Sequence, residues 1–209
     1  MTQTGQEVTA IVAENFLRYD TSVGVMCKQN HAEIFPVDMG MVTDTKVRTD
    51  HKVAYGTQNM TKGPAMTREQ AIKGIEAGIA MVEELKNKGY KILATGEMGI
   101  GNTTTSSAVA SVLLDQPVEE MTGRGAGLTS EGLVRKIAAI RKAIELNQPD
   151  PSDAIDVLAK VGGLDIAGMA GVFLGGAVYH VPVIMDGFIS CVSALIAMQI
   201  CPAAGDYMI

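Results

Sequence analysis

Apolar positions at Val8, Ile11, Val12 and Phe16 recur at helical spacing, which predicts a helix over residues 8–17 after a polar start. A short apolar run predicts a strand over 32–37, with Asp38 at its end. An irregular polar excursion follows, carrying Asp44, Lys46, Arg48, Asp50, His51 and Lys52. Thr67 followed by Gln70 has the form of a capping box, and the stripe Ile72, Ile75, Ile79, Val82 and Leu85 extends it into a helix that stops before Gly89. Residues 91–94 read as a strand running into Gly96, and the small residues of 102–112 as the helix beyond it. A glycine turn at 123–127 leads to a helix over 131–146, residues 147–151 end it, and Asp153 starts another. After Gly162 and Gly163 come a helix rich in Ala, Gly and Met, a strand over 181–185 and a helix over 188–200.

Strands separated by helices predict parallel pairing with crossovers that cover both faces of the sheet, so the expected class is α/β. No fixed-period repeat or Pro/Ser-rich linker divides the 209 residues, and residues 1–209 read as one domain. The apolar stretch 166–185 is long enough to span a bilayer, but four glycines, His180 and Pro182 interrupt it. A small-residue helix followed by a buried strand explains it better, with Asp186 arriving at the strand's end. With 47% hydrophobic and 19% charged residues the chain is globular rather than disordered. A net charge of −6 gives no general footprint for nucleic acid or anionic lipid, so any anion site must be local. Cys27, Cys191 and Cys201 are odd in number and widely spaced, which argues against a disulfide framework or a zinc site. The polar first residues show no secretory signal, which leaves the cytoplasm as the expected compartment.

Ligands of open parallel sheets bind beyond the carboxyl ends of the strands, and three polar elements arrive there: 96–105, 123–127, and Asp186 with Gly187. The string GEMGIGNTTTSSA places three glycines, Asn102 and the hydroxyls of Thr103–Thr105 at a helix N-terminus, where free N–H groups and the helix dipole favour an anion such as phosphate. Its spacing is neither that of a P-loop nor GxGxxG, so ATPase and NAD chemistry gain no support. A glycine-rich turn serving only tight strand-to-helix packing fits the same string. In TGRGAG the same two readings stand, and Lys136 is either a point charge reaching a phosphate or a solvated helix lysine.

Seven ordered segments carry a resemblance: GQEVTAIVAENF, PVDMGM, GTQNMTKGPAMT, GEMGIGNTT, TGRGAGL with Lys136 nine residues past Gly127, GGLDIAGMAG and VPVIMDGF. Together they closely resemble the nicotinate-nucleotide:dimethylbenzimidazole phosphoribosyltransferase family. The resemblance implies a Rossmann-like parallel sheet, a homodimer, and transfer of the phosphoribosyl group of nicotinate mononucleotide to a benzimidazole nitrogen in cobalamin biosynthesis. The products would be α-ribazole 5′-phosphate and nicotinate, and the chemistry requires no metal or other cofactor. It implies that Glu97, Gly99, Gly101, Asn102 and Thr103 lie beside the nucleotide. Gly123, Gly125, Gly127 and Lys136 would complete a phosphate cradle, and Asp186 would face the ribose. Glu97 either binds ribose hydroxyls or caps backbone donors; Asp165 either belongs to the site or is the N-cap of the Ala/Gly helix. His180 is expected to be a packed or hydrogen-bonded core histidine.

The sequence also departs from the family pattern. Family members carry an earlier N-terminal segment that helps shape the benzimidazole pocket, of which Gln3, Ser22, Met26 and Met41 would be the remaining wall. They also carry a later GEGTGA segment whose glutamate is usually assigned as general base, and no such string occurs here. The chain is therefore expected to be a truncated or split form lacking most of the small terminal-helix domain, leaving the catalytic residue unknown. Loss of those segments should uncover apolar faces on residues 8–16 and 188–200, giving marginal solubility or dependence on a companion chain. A non-catalytic nucleotide-binding remnant, or a nucleotide enzyme outside the family, are the competing readings, and the accepted base is not readable.

Overall fold

In the computed structural model, which describes residues 2–209, the strongest helical signal is realised as α3, Arg68–Asn87. Thr67 accepts from the Gln70 N–H and the Gln70 side chain accepts from the Thr67 N–H, closing the capping box. Helix α1 (Glu7–Arg18) precedes it, as does α2 (Ser22–Gln29), which the apolar pattern did not signal. Thr21 starts α2 by accepting from Gly24 N at 3.0 Å. Strand β1 (Leu93–Ala94) leads through a glycine loop to α4 (Asn102–Leu113). Then come a single turn α5 (Val118–Met121), α6 (Ser130–Asn147), α7 (Ala154–Val161) and α8 (Leu164–Tyr179). Strand β2 (Val183–Ile184), α9 (Gly187–Ile200) and a 3-10 turn (Pro202–Tyr207) complete the chain.

The architecture is α/β and mostly helical. β1 and β2 pair in parallel with Leu93 opposite Val183 and Ala94 opposite Ile184. Met208 adds a parallel bridge on the far side of Val183, with Ile209 N donating to Val183 O at 3.0 Å. The strands are shorter than the apolar runs suggest. Ile92 is 52% exposed on the open side of β1, so the run over 91–94 pairs only where β2 lies opposite it. The expected strand over 32–37 is a correction: it is reduced to one bridge, Val37 with Arg48. Pro36 offers no N–H to a neighbouring strand, and an extended segment without ladder partners does not register as sheet. Asp38 at its end is fully buried; its Oδ1 accepts from Gly40 N and Met41 N at 2.9 and 2.7 Å. Its Oδ2 faces Lys52 Nζ at 3.0 Å as an ion pair rather than a directed hydrogen bond.

The core forms where α3 crosses α8. A Cβ on Gly78 would lie 2.0 Å from Gly168 O, and one on Gly171 2.0 Å from Ile75 O, so glycines let the two backbones touch. The apolar stretch beginning at Ile166 is thus a buried helix, as expected, and no helix among the described residues is long and apolar enough to cross a membrane. Val109, Ile140, Leu158, Ile166 and Ile196 are fully buried around it, each contributing roughly 1.5–3 kcal/mol. This packing fixes the starts of α4, α8 and α9 at the carboxyl end of the β1–β2 pair.

Candidate functional site

The loop between β1 and α4 turns on Gly101, whose φ of +100° suits glycine and whose residue caps α4 without a side-chain bond. In the first turn of α4, Asn102 N and Thr104 N donate to Gly99 O and Gly101 O at 3.0 and 2.9 Å, which leaves the Thr103 N–H without an acceptor among the described residues. Thr103 Oγ1 accepts from Lys136 Nζ at 2.9 Å, and the carbonyl of Gly123 accepts from the same ammonium at 3.1 Å. Lys136 is 1% exposed, which decides between its two sequence readings: it is no solvated helix lysine. Burial pushes its ammonium below the ordinary lysine range, and among the described residues no carboxylate pairs with it. The site holds a positive charge without a counter-charge.

Gly125 and Gly127 have φ of +56° and +90° and turn the chain over that ammonium. A Cβ on Gly125 would sit 2.7 Å from Thr103 Oγ1 and 3.6 Å from Lys136 Nζ. Gln3 reaches across from the N-terminal segment, its Nε2 donating to Gly127 O at 3.1 Å, and Thr9 Oγ1 accepts from Ile100 N at 3.1 Å. The surface between the two glycine turns, exposed at Gly123 and Gly125 and backed by Lys136 and Thr103, is the candidate cleft. A separate shallow cavity of about 440 Å³ lies between α4, α5 and α6, but Asp115, Glu119 and Arg141 on its walls are exposed and none of the residues above lines it.

A second group adjoins the first through Asn102. Its Nδ2 donates to Asp165 Oδ2 at 2.7 Å and also to Glu97 Oε2. Although Glu97 is open to solvent on one side, desolvation in the cleft pushes its carboxyl up; the Asn102 bond opposes this, and Asp165 and Asp186 add to the rise. Asp165 is likewise pushed up, chiefly by burial, with Asn102 opposing. Asp186 follows β2 as Glu97 follows β1, and it is the N-cap residue of α9, though its side chain accepts no cap hydrogen bond. Parallel pairing of the strands is what brings these two carboxyls near each other.

Of the ten residues singled out by the glycine motifs and the resemblance, Thr103, Gly123, Gly125 and Lys136 meet around the ammonium, Asn102 links this group to Glu97, and Gly99 packs against Asn102; Gly101 starts α4, Gly127 is tied to Gln3, and Asp186 stands exposed at the end of β2. Two expectations are corrected. Asp165 is not the N-cap of α8, because Gly163 occupies that position and Asp165 is the second helical residue. His180 is not a core residue: it is exposed at the left-handed end of α8, where its Nδ1 lies 2.6 Å from Tyr207 Oη. The sequence reading missed the Asp165–Asn102 bond, which joins positions 63 residues apart and has no local signal. It also missed the buried Thr95–Ser190 hydroxyl pair, which ties the end of β1 to α9.

Comparison with known proteins gives this arrangement its relatives. A family model described as Phosphoribosyltransferase matches residues 1–209. The nicotinate-nucleotide–dimethylbenzimidazole phosphoribosyltransferase of Ruminiclostridium cellulolyticum is 52% identical over 206 residues, covering 98% of this chain and 58% of the relative. The protein of the same name from Clostridium acetobutylicum is 50% identical over 206 residues with the same coverages. The crystal structure of CobT from Thermus thermophilus superposes with a TM-score of 0.93 at 34% identity, covering 99% of this chain and 63% of that one. The chain thus spans a little over half the length of the curated relatives it matches. On the strength of the whole-length family match and of identity at this level, the chain belongs to the phosphoribosyltransferase family whose members are named nicotinate-nucleotide–dimethylbenzimidazole phosphoribosyltransferase.

Proposed function

We propose that this chain carries the nucleotide-binding part of an enzyme that transfers the phosphoribosyl group of nicotinate mononucleotide to 5,6-dimethylbenzimidazole, as its relatives' names describe. The observation that carries the reading is the buried, uncompensated Lys136 ammonium set between two glycine turns at the start of a helix. A sugar phosphate supplies the missing negative charge, and the Thr103 N–H at the start of α4 supplies a directed donor beside the positive end of the helix dipole. In this reading Gly99, Gly101, Asn102 and Thr103 border the nucleotide on one side. Gly123, Gly125 and Gly127 let the backbone approach the phosphate on the other.

With the 5′-phosphate anchored there, the ribose extends toward Glu97 and Asp186. A benzimidazole nitrogen attacks C1′ from the face opposite nicotinate, the C1′–N bond to nicotinate breaks, and its electron pair leaves with nicotinate. The β bond becomes an α bond, giving α-ribazole 5′-phosphate. Carboxylates beside the ribose stabilise the positive charge that develops on it, and the proton lost by the benzimidazole passes to a base. The GEGTGA glutamate that the resemblance implies as that base does not occur in this sequence.

The reading includes a cytoplasmic protein acting as a homodimer or with a companion chain. Three free cysteines suit a reducing compartment. Exposed Ile11 and Leu17 on α1, and Phe188 and Met198 on α9, are surfaces a partner would cover. Calorimetric titration of nicotinate mononucleotide, followed by addition of dimethylbenzimidazole and chromatography for α-ribazole 5′-phosphate, tests the proposal. Saturable binding with product supports the enzyme; binding without product that a co-expressed C-terminal segment restores supports a split enzyme. Binding that no added segment converts to turnover supports a sensing remnant, and no binding removes the reading.

A further inference from the structure

Behind the cleft-facing Glu97 stands a second carboxyl held more tightly than a helix start requires. Asp165 Oδ2 accepts one Asn102 Nδ2 proton at 2.7 Å, and the other proton of that amide goes to Glu97 Oε2. An amide nitrogen has two protons, so both are committed, and Asn102 is the side-chain donor that orients Glu97. Two glycines make room for the arrangement. A Cβ on Gly99 would lie 2.9 Å from both Asn102 Nδ2 and Asp165 Oδ2, and one on Gly163 would lie 2.6 Å from Asp165 Oδ1. If the contact served only to staple α8 to α4, a neutral acceptor would do it better, since a second carboxyl beside Glu97 adds like-charge repulsion.

We infer that Asp165 is a positioning residue: by holding the Asn102 amide from behind, it fixes the Glu97 carboxyl in the cleft toward the ribose of the bound nucleotide. The direction toward ribose rests on the phosphoribosyl reading; the Asp165–Asn102–Glu97 linkage does not. Asp165→Asn keeps an oxygen that accepts from Asn102, whereas Asp165→Ala removes it.

The test is calorimetric titration of nicotinate mononucleotide into the full chain and into the Asp165→Ala, Asp165→Asn, Glu97→Ala and Asp165→Ala/Glu97→Ala variants. It is paired with NMR of the Asn102 side-chain amide and the Glu97 carboxyl carbon in ligand-free protein. Asp165→Ala weakens binding about tenfold, Asp165→Asn stays within about threefold, and the double variant is no weaker than Glu97→Ala alone. In ligand-free Asp165→Ala the Asn102 amide resonances shift, and in Asp165→Asn the Glu97 titration moves down because a neighbouring negative charge is gone. Additive losses in the double variant, or an Asp165→Ala protein with wild-type affinity, overturn the inference. If the unmodified chain does not bind the nucleotide, the phosphoribosyl reading fails. Unmoved Asn102 and Glu97 signals then overturn the positioning role as well, and shifted ones uphold it.

Discussion

Replacing Lys136 by methionine should make the protein more stable and less able to bind its nucleotide. The ammonium is 1% exposed, and burying an ion of this kind costs several kcal/mol of hydration even after local relaxation. Against this stand two hydrogen bonds, to Thr103 Oγ1 and Gly123 O, with no opposite charge to offset the rest of the cost. Methionine fills the apolar stem's space, removes the desolvation penalty, and leaves behind only a hydroxyl and an exposed carbonyl that water can reach. The balance favours methionine by about 1–2 kcal/mol, and at this chain length each kcal/mol raises Tm by about 2–4 °C. Loss of the same charge should weaken nicotinate mononucleotide binding by at least tenfold, about 1.4 kcal/mol or more. Urea denaturation and thermal scans without ligand, with calorimetry in parallel, measure both sides. A methionine variant that is less stable and binds as tightly as the original refutes the view that the lysine is held strained for an anion.

Further expectations follow from the same geometry. Gly125→Ala, which adds a Cβ 2.7 Å from Thr103 Oγ1 at a φ of +56°, should weaken nucleotide binding and also lower the urea midpoint, by about 1–2 kcal/mol of backbone strain. Gly171→Ala places a methyl 2.0 Å from Ile75 O at the α3–α8 crossing and should destabilise by roughly 1–3 kcal/mol or more, read as a lowered urea midpoint with an unchanged slope. Nucleotide affinity should fall as pH rises through the lowered Lys136 value, at less alkaline pH than a free lysine would dictate, and calorimetry across pH 7–10 checks this. Stability should show two opposed limbs. Asp50, held down by Arg48, and Glu84, held down by Lys88 and then Arg48, contribute stability present above the ordinary carboxylate range and lost as pH falls. Raised Glu97 and Asp165 contribute stability present in acid and lost as pH rises through their values, so Arg48→Ala should flatten the acidic limb and Asp165→Asn the other.

What the sequence made legible was local. The Thr67–Gln70 capping box and the stripe of α3 lie within one element, and both appear as read. The glycine turns were readable because positive φ at Gly101, Gly125 and Gly127 is a residue-level requirement. Strand extent was not, because a strand exists only where a neighbour pairs with it, and the apolar run over 91–94 has β2 along half its length. Lys136 was undecidable from its own helix: its burial is set by α4 and the Gly123 turn, and its hydroxyl partner Thr103 lies 33 residues away. His180 illustrates the opposite error. Flanked by apolar residues it reads as core, yet at the C-cap of α8 the chain leaves the helix and the ring turns outward to Tyr207.

A crystal structure of the chain with bound nicotinate mononucleotide shows whether Lys136 and the two glycine turns hold the phosphate. The phosphorus atom should lie between the first turn of α4 and the 123–127 turn, with a phosphate oxygen within about 3 Å of Lys136 Nζ. Nucleotide bound with its phosphate elsewhere, or a cleft left unchanged at saturating nucleotide with Lys136 still bonded only to Thr103 and Gly123, would contradict it.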